Sequence, residues 1–97
     1  MGLTFEWDRN KAEENLKKHG VSFEEATTVF GDPLSLTIDD PLHSVEEERL
    51  VTLGQSYKHR IIVVVHVDRG ENIRIIGARP AARRERSNYE KGSKEPR

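Results

Sequence analysis

RIIVVVHVDRGENIRIIGARPAARRERSNY, residues 60–89, decides the fold. The apolar run Ile61 to Val65, extended by Val67 beyond His66, is followed by the polar segment Asp68-Arg69-Gly70-Glu71-Asn72 and then by Ile73, Ile75 and Ile76. Two β-branched runs around a short Gly-containing break predict a β-hairpin. With the turn centred on Gly70, Val67 faces Ile73 and His66 faces Arg74. Alternation along the strands then gives one wholly apolar face, Ile61, Val63, Val65, Val67, Ile73, Ile75 and Gly77, expected to lie under a helix. The other face carries Arg60, Ile62, Val64, His66, Arg74, Ile76 and Ala78, and its cationic ends point to function. The assignment is conditional on register, because a slip of one residue exchanges the faces of one strand.

Downstream, Pro80 fits the first position of a helix running from Ala81 to about Lys91, and residues 92–97 read as a frayed tail. Upstream, Glu47–Leu53 is a strand closed by Gly54, and Leu34, Leu36 and Ile38 alternate with polar residues in another. Asp39-Asp40-Pro41 turns the chain between them. Thr4–Trp7 is a short strand, and Asp8 caps a helix over Arg9–Lys18 that stops at Gly20. Ser22 and Glu25 form a capping box, with Val21 placed to staple onto Ala26. Phe23, Ala26, Thr27 and Phe30 give that second helix an apolar stripe, ended by Gly31-Asp32-Pro33. The order is β-α-α-β-β-β-β-α, which predicts an α+β fold: an antiparallel sheet with the helices packed on one side.

Ninety-seven residues make a single domain, 1–97, with room for one modest core. Without cysteine, neither a disulfide scaffold nor a thiolate metal site can form. No apolar run approaches the ~18 residues of a membrane span, and MGLTFEWDRN is too polar for a signal peptide. The expected location is cytoplasmic, with no membrane partner. The net charge of −1 conceals an asymmetry: residues 1–48 hold 4 cations against 12 anions, and residues 49–97 hold 12 against 5. That split points to a polyanionic ligand or a charged partner, and equally describes two solvated halves that neutralise each other.

His19, His43, His59 and His66 have no metal-ligand spacing, and no Gly-rich phosphate loop is present, so neither metal nor cofactor is expected. His66, opposite Arg74 in the expected hairpin, is the one histidine placed to act as acid or base. Its plainer role is that of a half-buried sheet histidine. Arg79, Arg83, Arg84 and Arg86 cluster where the last strand enters the last helix, joined by Glu85 and Tyr89, which share a helix face. Guanidiniums beside a carboxylate and a phenol suit RNA backbone binding and proton transfer on it. For Arg84 and Arg86 a solvated, ion-paired helix is the better reading. For Arg74 and Arg79 the Ile-rich strand argues for a role, since a guanidinium there is costly to bury unpaired.

Taken together, FEWDRNKAEENLKKHGVSFEEATTVFGDP, HSVEEERLVTLGQS and RIIVVVHVDRGENIRIIGARPAARRERSNYE, spanning about Phe5 to Glu90, resemble the BrnT toxin family. Lys18-His19-Gly20-Val21 through Ala26 and Arg74-Ile75-Ile76-Gly77-Ala78-Arg79 are the most distinctive parts; Gly77 stands where the family often has Ser. The resemblance implies a RelE-like fold and a type II toxin, a metal-independent ribonuclease that arrests translation. It also implies a BrnA-like ribbon-helix-helix antitoxin as hetero-oligomeric partner, with DNA reached only through that antitoxin. In such a ribonuclease, Arg60, Arg74, Arg79 and Arg83 are the expected phosphate ligands, Arg74 or Arg79 at the scissile group. Glu85, Tyr89 and His66 are then the acid–base candidates. The alternative is a non-catalytic module that binds nucleic acid or protein stoichiometrically, and turnover separates the two.

Overall fold

The structure, a computed structural model, describes residues 2–40 and 48–94, without the side chains of 93 and 94. The elements follow the expected order: β1 (Thr4–Glu6), α1 (Arg9–His19), α2 (Phe23–Thr28) with a 3-10 turn (Val29–Gly31), β2 (Leu36–Asp39), β3 (Arg49–Gln55), β4 (Ile61–Arg69), β5 (Asn72–Pro80) and α3 (Arg83–Lys94). The last helix therefore runs past Gly92, where a frayed tail was expected. His43, Pro41 and Glu47 lie outside the described residues.

The sheet order is β1-β5-β4-β3-β2. Four strands are antiparallel, as their short connections require, but β1 adds to β5 in parallel, so the sheet is mixed. Local caps set the helices. The Asp8 carboxylate accepts from the backbone N–H groups of Asn10 and Lys11 at 2.8 and 3.1 Å, and Gly20 ends α1 in the left-handed region at φ 71°. Ser22 Oγ accepts from the Glu25 N–H at 3.0 Å, half of the expected capping box. The Glu25 carboxylate turns inward instead and is buried.

The hairpin register differs from expectation by one residue. Gly70, at φ 63°, and Glu71 together form a two-residue loop, so Arg69 faces Asn72 and His66 faces Ile75. Two-residue loops match the right-handed twist of the flanking strands, which a turn on Gly70 alone would not. A bulge at Val65/His66 then shifts the pairing once more, so that Val64 faces Ala78 and Val63 faces Arg79. Ile62, Val64 and His66 thus share the inner face with Ile73, Ile75 and Ala78, all buried. That face, not the expected one, lies under α1 and α2. Val21, Phe23, Ala26 and Val29 complete its core, with Phe5, Trp7, Ala12 and Phe30 against it. Val63, Val65 and Val67 point to the opposite, outer face together with Arg74 and Arg79.

Helices cover both faces rather than one. Glu85 and Asn88 of α3 meet Val63, Leu53 and Leu36, which are in register on the outer face. On the inner face Gly54 is a close-approach position: a Cβ there would lie 2.8 Å from Val29 Cγ1 and 3.0 Å from Ser35 Cβ. Gly54→Ala is therefore expected to destabilise the fold by about 1–3 kcal/mol through overpacking. Thermal unfolding checks it; a variant as stable as the parent would mean that the 3-10 turn yields freely.

Candidate nucleic-acid interface

Arg79 leaves the outer face near the end of β5, and Glu85 sits in the first turn of α3. Their side chains form a bidentate pair, Nη1 to Oε1 and Nη2 to Oε2, both at 2.8 Å. Glu85 Oε1 also accepts from the Ala82 N–H at 2.8 Å, the carboxylate half of a helix cap. The sequence makes this pair locally: Pro80 ends the strand, and six residues separate guanidinium from carboxylate. Hydrogen bonding from Arg79 outweighs burial and, with the Ala82 N–H, holds the Glu85 carboxyl below the usual range; Glu85 in turn raises the Arg79 guanidinium. Both groups remain partly open to solvent, 44% for Arg79 and 32% for Glu85.

Arg74 shares this face because the extra residue at the bulge offsets the odd spacing between positions 74 and 79. The two lie roughly 15 Å apart along β5, at about 3.3 Å per residue. Their backbones are therefore well separated along the strand, and each side chain has its own carboxylate partner. Arg74 Nη1 donates to Glu6 Oε2 of β1 at 3.0 Å. Arg83 opens α3 and is exposed, as are Arg84 and Arg86.

The structure does not bring the other expected residues to this face. Arg60 lies on the inner side, donating from Nε to Glu25 Oε2 at 2.9 Å and from Nη2 to Glu25 Oε1 and to the Gly20 carbonyl. The expected shared face of Arg60 and Arg74 is thereby corrected: the register slip separates them. His66 is buried against the 3-10 turn, its ring edge-on to Phe30 at 4.9 Å between centroids. Its Nδ1 is 2.6 Å from Asp68 Oδ1 and its Nε2 is 2.8 Å from Thr52 Oγ1. Thr52 Oγ1 in turn pairs with Thr37 Oγ1 at 2.8 Å, a chain that crosses three strands. Tyr89 is buried and donates to Asp32 Oδ2 at 2.6 Å. Burial and that carboxylate push its phenol up to about 12. Glu85 and Tyr89 therefore serve different partners despite their helical spacing.

One residue that positions the site escaped the sequence. Asn15 of α1 donates from Nδ2 to the carbonyls of Val21 and Ala78 at 2.9 and 2.8 Å. Its Oδ1 accepts from the Ala78 N–H at 3.2 Å. The carboxamide thus pins the bulged backbone immediately before Arg79. No spacing rule could reveal a contact across 63 residues.

Comparison with known proteins follows the same lines. The family model described as "Ribonuclease toxin, BrnT, of type II toxin-antitoxin system" matches residues 7–85. The crystal structure of the Brucella abortus ribonuclease toxin BrnT is similar at a TM-score of 0.65 and 21% identity, covering 84% of this chain and 99% of that one. At that identity the likeness bears on the fold alone. No curated protein matches the chain.

Proposed function

This chain belongs to the BrnT family of ribonuclease toxins of type II toxin–antitoxin systems, and from that premise we propose that it cleaves RNA on its outer face, at Arg79 and Glu85, without a metal ion. The observation that carries the reading is the bidentate Arg79–Glu85 pair, half-exposed where β5 passes into α3. A guanidinium fork fits two oxygens of a phosphate as well as it fits a carboxylate. An RNA phosphate on Arg79 would displace Glu85, and the carboxyl, relieved of its main stabilising partner, would become a better proton acceptor.

The reaction needs only these parts. Glu85 takes the proton of a ribose 2′-hydroxyl, and the 2′-oxygen attacks the adjacent phosphorus. Arg79 stabilises the charge on the phosphorane oxygens. The P–O5′ bond breaks, leaving a 2′,3′-cyclic phosphate, and the 5′-oxygen takes a proton from solvent. Arg74 and Arg83 hold flanking phosphates. Tyr89 and His66, bonded to Asp32 and to Thr52 and Asp68, stand outside the reaction, and Arg60 is a structural ion-pair partner. The neutralising partner is a BrnA-like antitoxin, and the site of action is the cytoplasm.

The test is turnover of RNA in large molar excess over the purified chain, in EDTA, with ribosomes present in a parallel series. Glu85→Gln keeps the helix cap and loses the proton acceptor. It is expected to bind RNA more tightly, because Arg79 loses its competing anion, and to cleave about 100-fold more slowly. Wild-type cleavage that stops at one equivalent, or vanishes in EDTA, would defeat the reading. A Glu85→Gln variant with undiminished turnover would remove Glu85 from the chemistry.

A further inference from the structure

The outer face carries an apolar groove that cleavage does not require. Leu36 and Ile38 of the edge strand β2, Leu53 of β3 and Val63 of β4 floor a cavity of about 240 Å³, walled by Glu85 and Asn88 of α3. Ile38 is 64% exposed. Together with Leu36, Leu53 and Val63 it forms a contiguous apolar patch at an edge strand, the kind of surface that partners cover. The rim is cationic. Arg84 and Lys91, four residues before and three after Asn88, lie on its side of α3, and Glu85 is neutralised by Arg79. An apolar floor with a cationic rim is complementary to a segment that alternates apolar and acidic side chains.

We propose that this groove seats an acidic amphipathic segment of the protein antitoxin, against Ile38 and beside the Arg79–Glu85 pair, so that antitoxin and RNA exclude each other. The docking rests on the toxin–antitoxin character of the family, and the exclusion rests on the cleavage site proposed above. The same groove explains inhibition without any conformational change: a chain lying along Asn88 and Glu85 covers the approach to Arg79.

The experiment measures binding of the full chain to the antitoxin encoded beside its gene, by calorimetry, with RNA cleavage by each free variant read separately. Ile38→Asp is expected to weaken binding by about 30-fold or more, the loss typical of a central apolar contact. It should melt and cleave RNA as the parent does, because its side chain is mostly in solvent already. Arg84→Glu with Lys91→Glu should weaken binding most at low salt. Leu16→Asp, at an exposed apolar position on α1, should leave binding unchanged. Ile38→Asp binding within about threefold of the parent, or no binding by the parent itself, would overturn the proposal. So would a parent that sediments as a dimer and becomes a monomer on Ile38→Asp, which would place a second copy of the chain in the groove. A parent that cleaves no RNA yet shows the expected binding pattern would leave the docking surface standing and sink the ribonuclease site alone.

Discussion

Arg79→Ala is expected to lower RNA cleavage by about a thousandfold, the loss seen when a single preorganised charge on a developing oxyanion is removed. Stability should hardly change. The Arg79–Glu85 pair is partly solvent-exposed, and exposed pairs contribute only about 0–1 kcal/mol. Glu85 would keep its bond from the Ala82 N–H, so the start of α3 should survive. Arg79→Lys distinguishes charge from shape. A lysine restores the positive charge but not the planar fork, so its cleavage should fall between parent and alanine variant. Single-turnover cleavage with saturating RNA, beside growth of cells expressing each variant, is the measurement. An alanine variant that cleaves and arrests growth like the parent would move the reacting phosphate elsewhere.

Arg60→Ala should do the opposite, leaving chemistry alone and costing the fold about 2–3 kcal/mol. Glu25 is 1% exposed, and its carboxylate accepts from Arg60 Nε, from Arg60 Nη2 and from Ser56 Oγ at 2.7 Å. Removing one partner of a buried pair leaves an uncompensated charge, which costs about 3–5 kcal/mol. The estimate is reduced because Arg60 itself is 38% exposed and Lys58 Nζ stands 4.0 Å from the same carboxylate. In a 97-residue chain such a loss lowers the melting temperature by about 10–20 °C.

The pH dependence has a definite sign. In the parent, burial raises the Glu25 pKa, but hydrogen bonds from Arg60 and Ser56 outweigh it and the carboxyl is held below its ordinary value. Its stabilising contribution is therefore present above about pH 4.3 and lost as pH falls through the lowered folded value. Without Arg60, burial dominates and the folded pKa rises above the unfolded one. The carboxylate is then a liability that grows with pH, so the variant's deficit should be larger at neutral pH than near pH 4. Adding Glu25→Gln to Arg60→Ala should recover part of the loss. A deficit independent of pH would show that Arg60 acts by packing alone. Cleavage by the folded variant, measured well below its melting point, should match the parent; a large loss would return Arg60 to the RNA.

Arg79 and Glu85 were legible as neighbours where the last strand enters the last helix, whereas their bidentate pairing came only from the structure, although it is local. A proline ends the strand, the helix begins at once, and a glutamate at its third position can reach both the cap and the preceding guanidinium. Arg74 was legible as an arginine among isoleucines. The face it shares with Arg79 was not, because a bulge of one residue decides it. His66 and Tyr89 were the right chemical types, but their partners, Thr52 and Asp68 for one and Asp32 for the other, come from other strands and loops.

What the sequence by itself determined was the order and kind of elements: β-branched runs, an Asp and a Ser cap, the glycine that stops α1, and the charge divided between halves. These are set by backbone and nearest-neighbour energetics, which short stretches of chain carry in full. Tertiary structure decided the rest. Hairpin register, the parallel addition of β1, and the side on which α3 lies depend on burying Ile62, Val64, Ile73 and Ile75 together under α1 and α2. A period of two makes both sheet faces equally good on paper. Only the packed core chooses between them, and that choice put Arg74 and Arg79 on the outer face and Arg60 and His66 on the inner one.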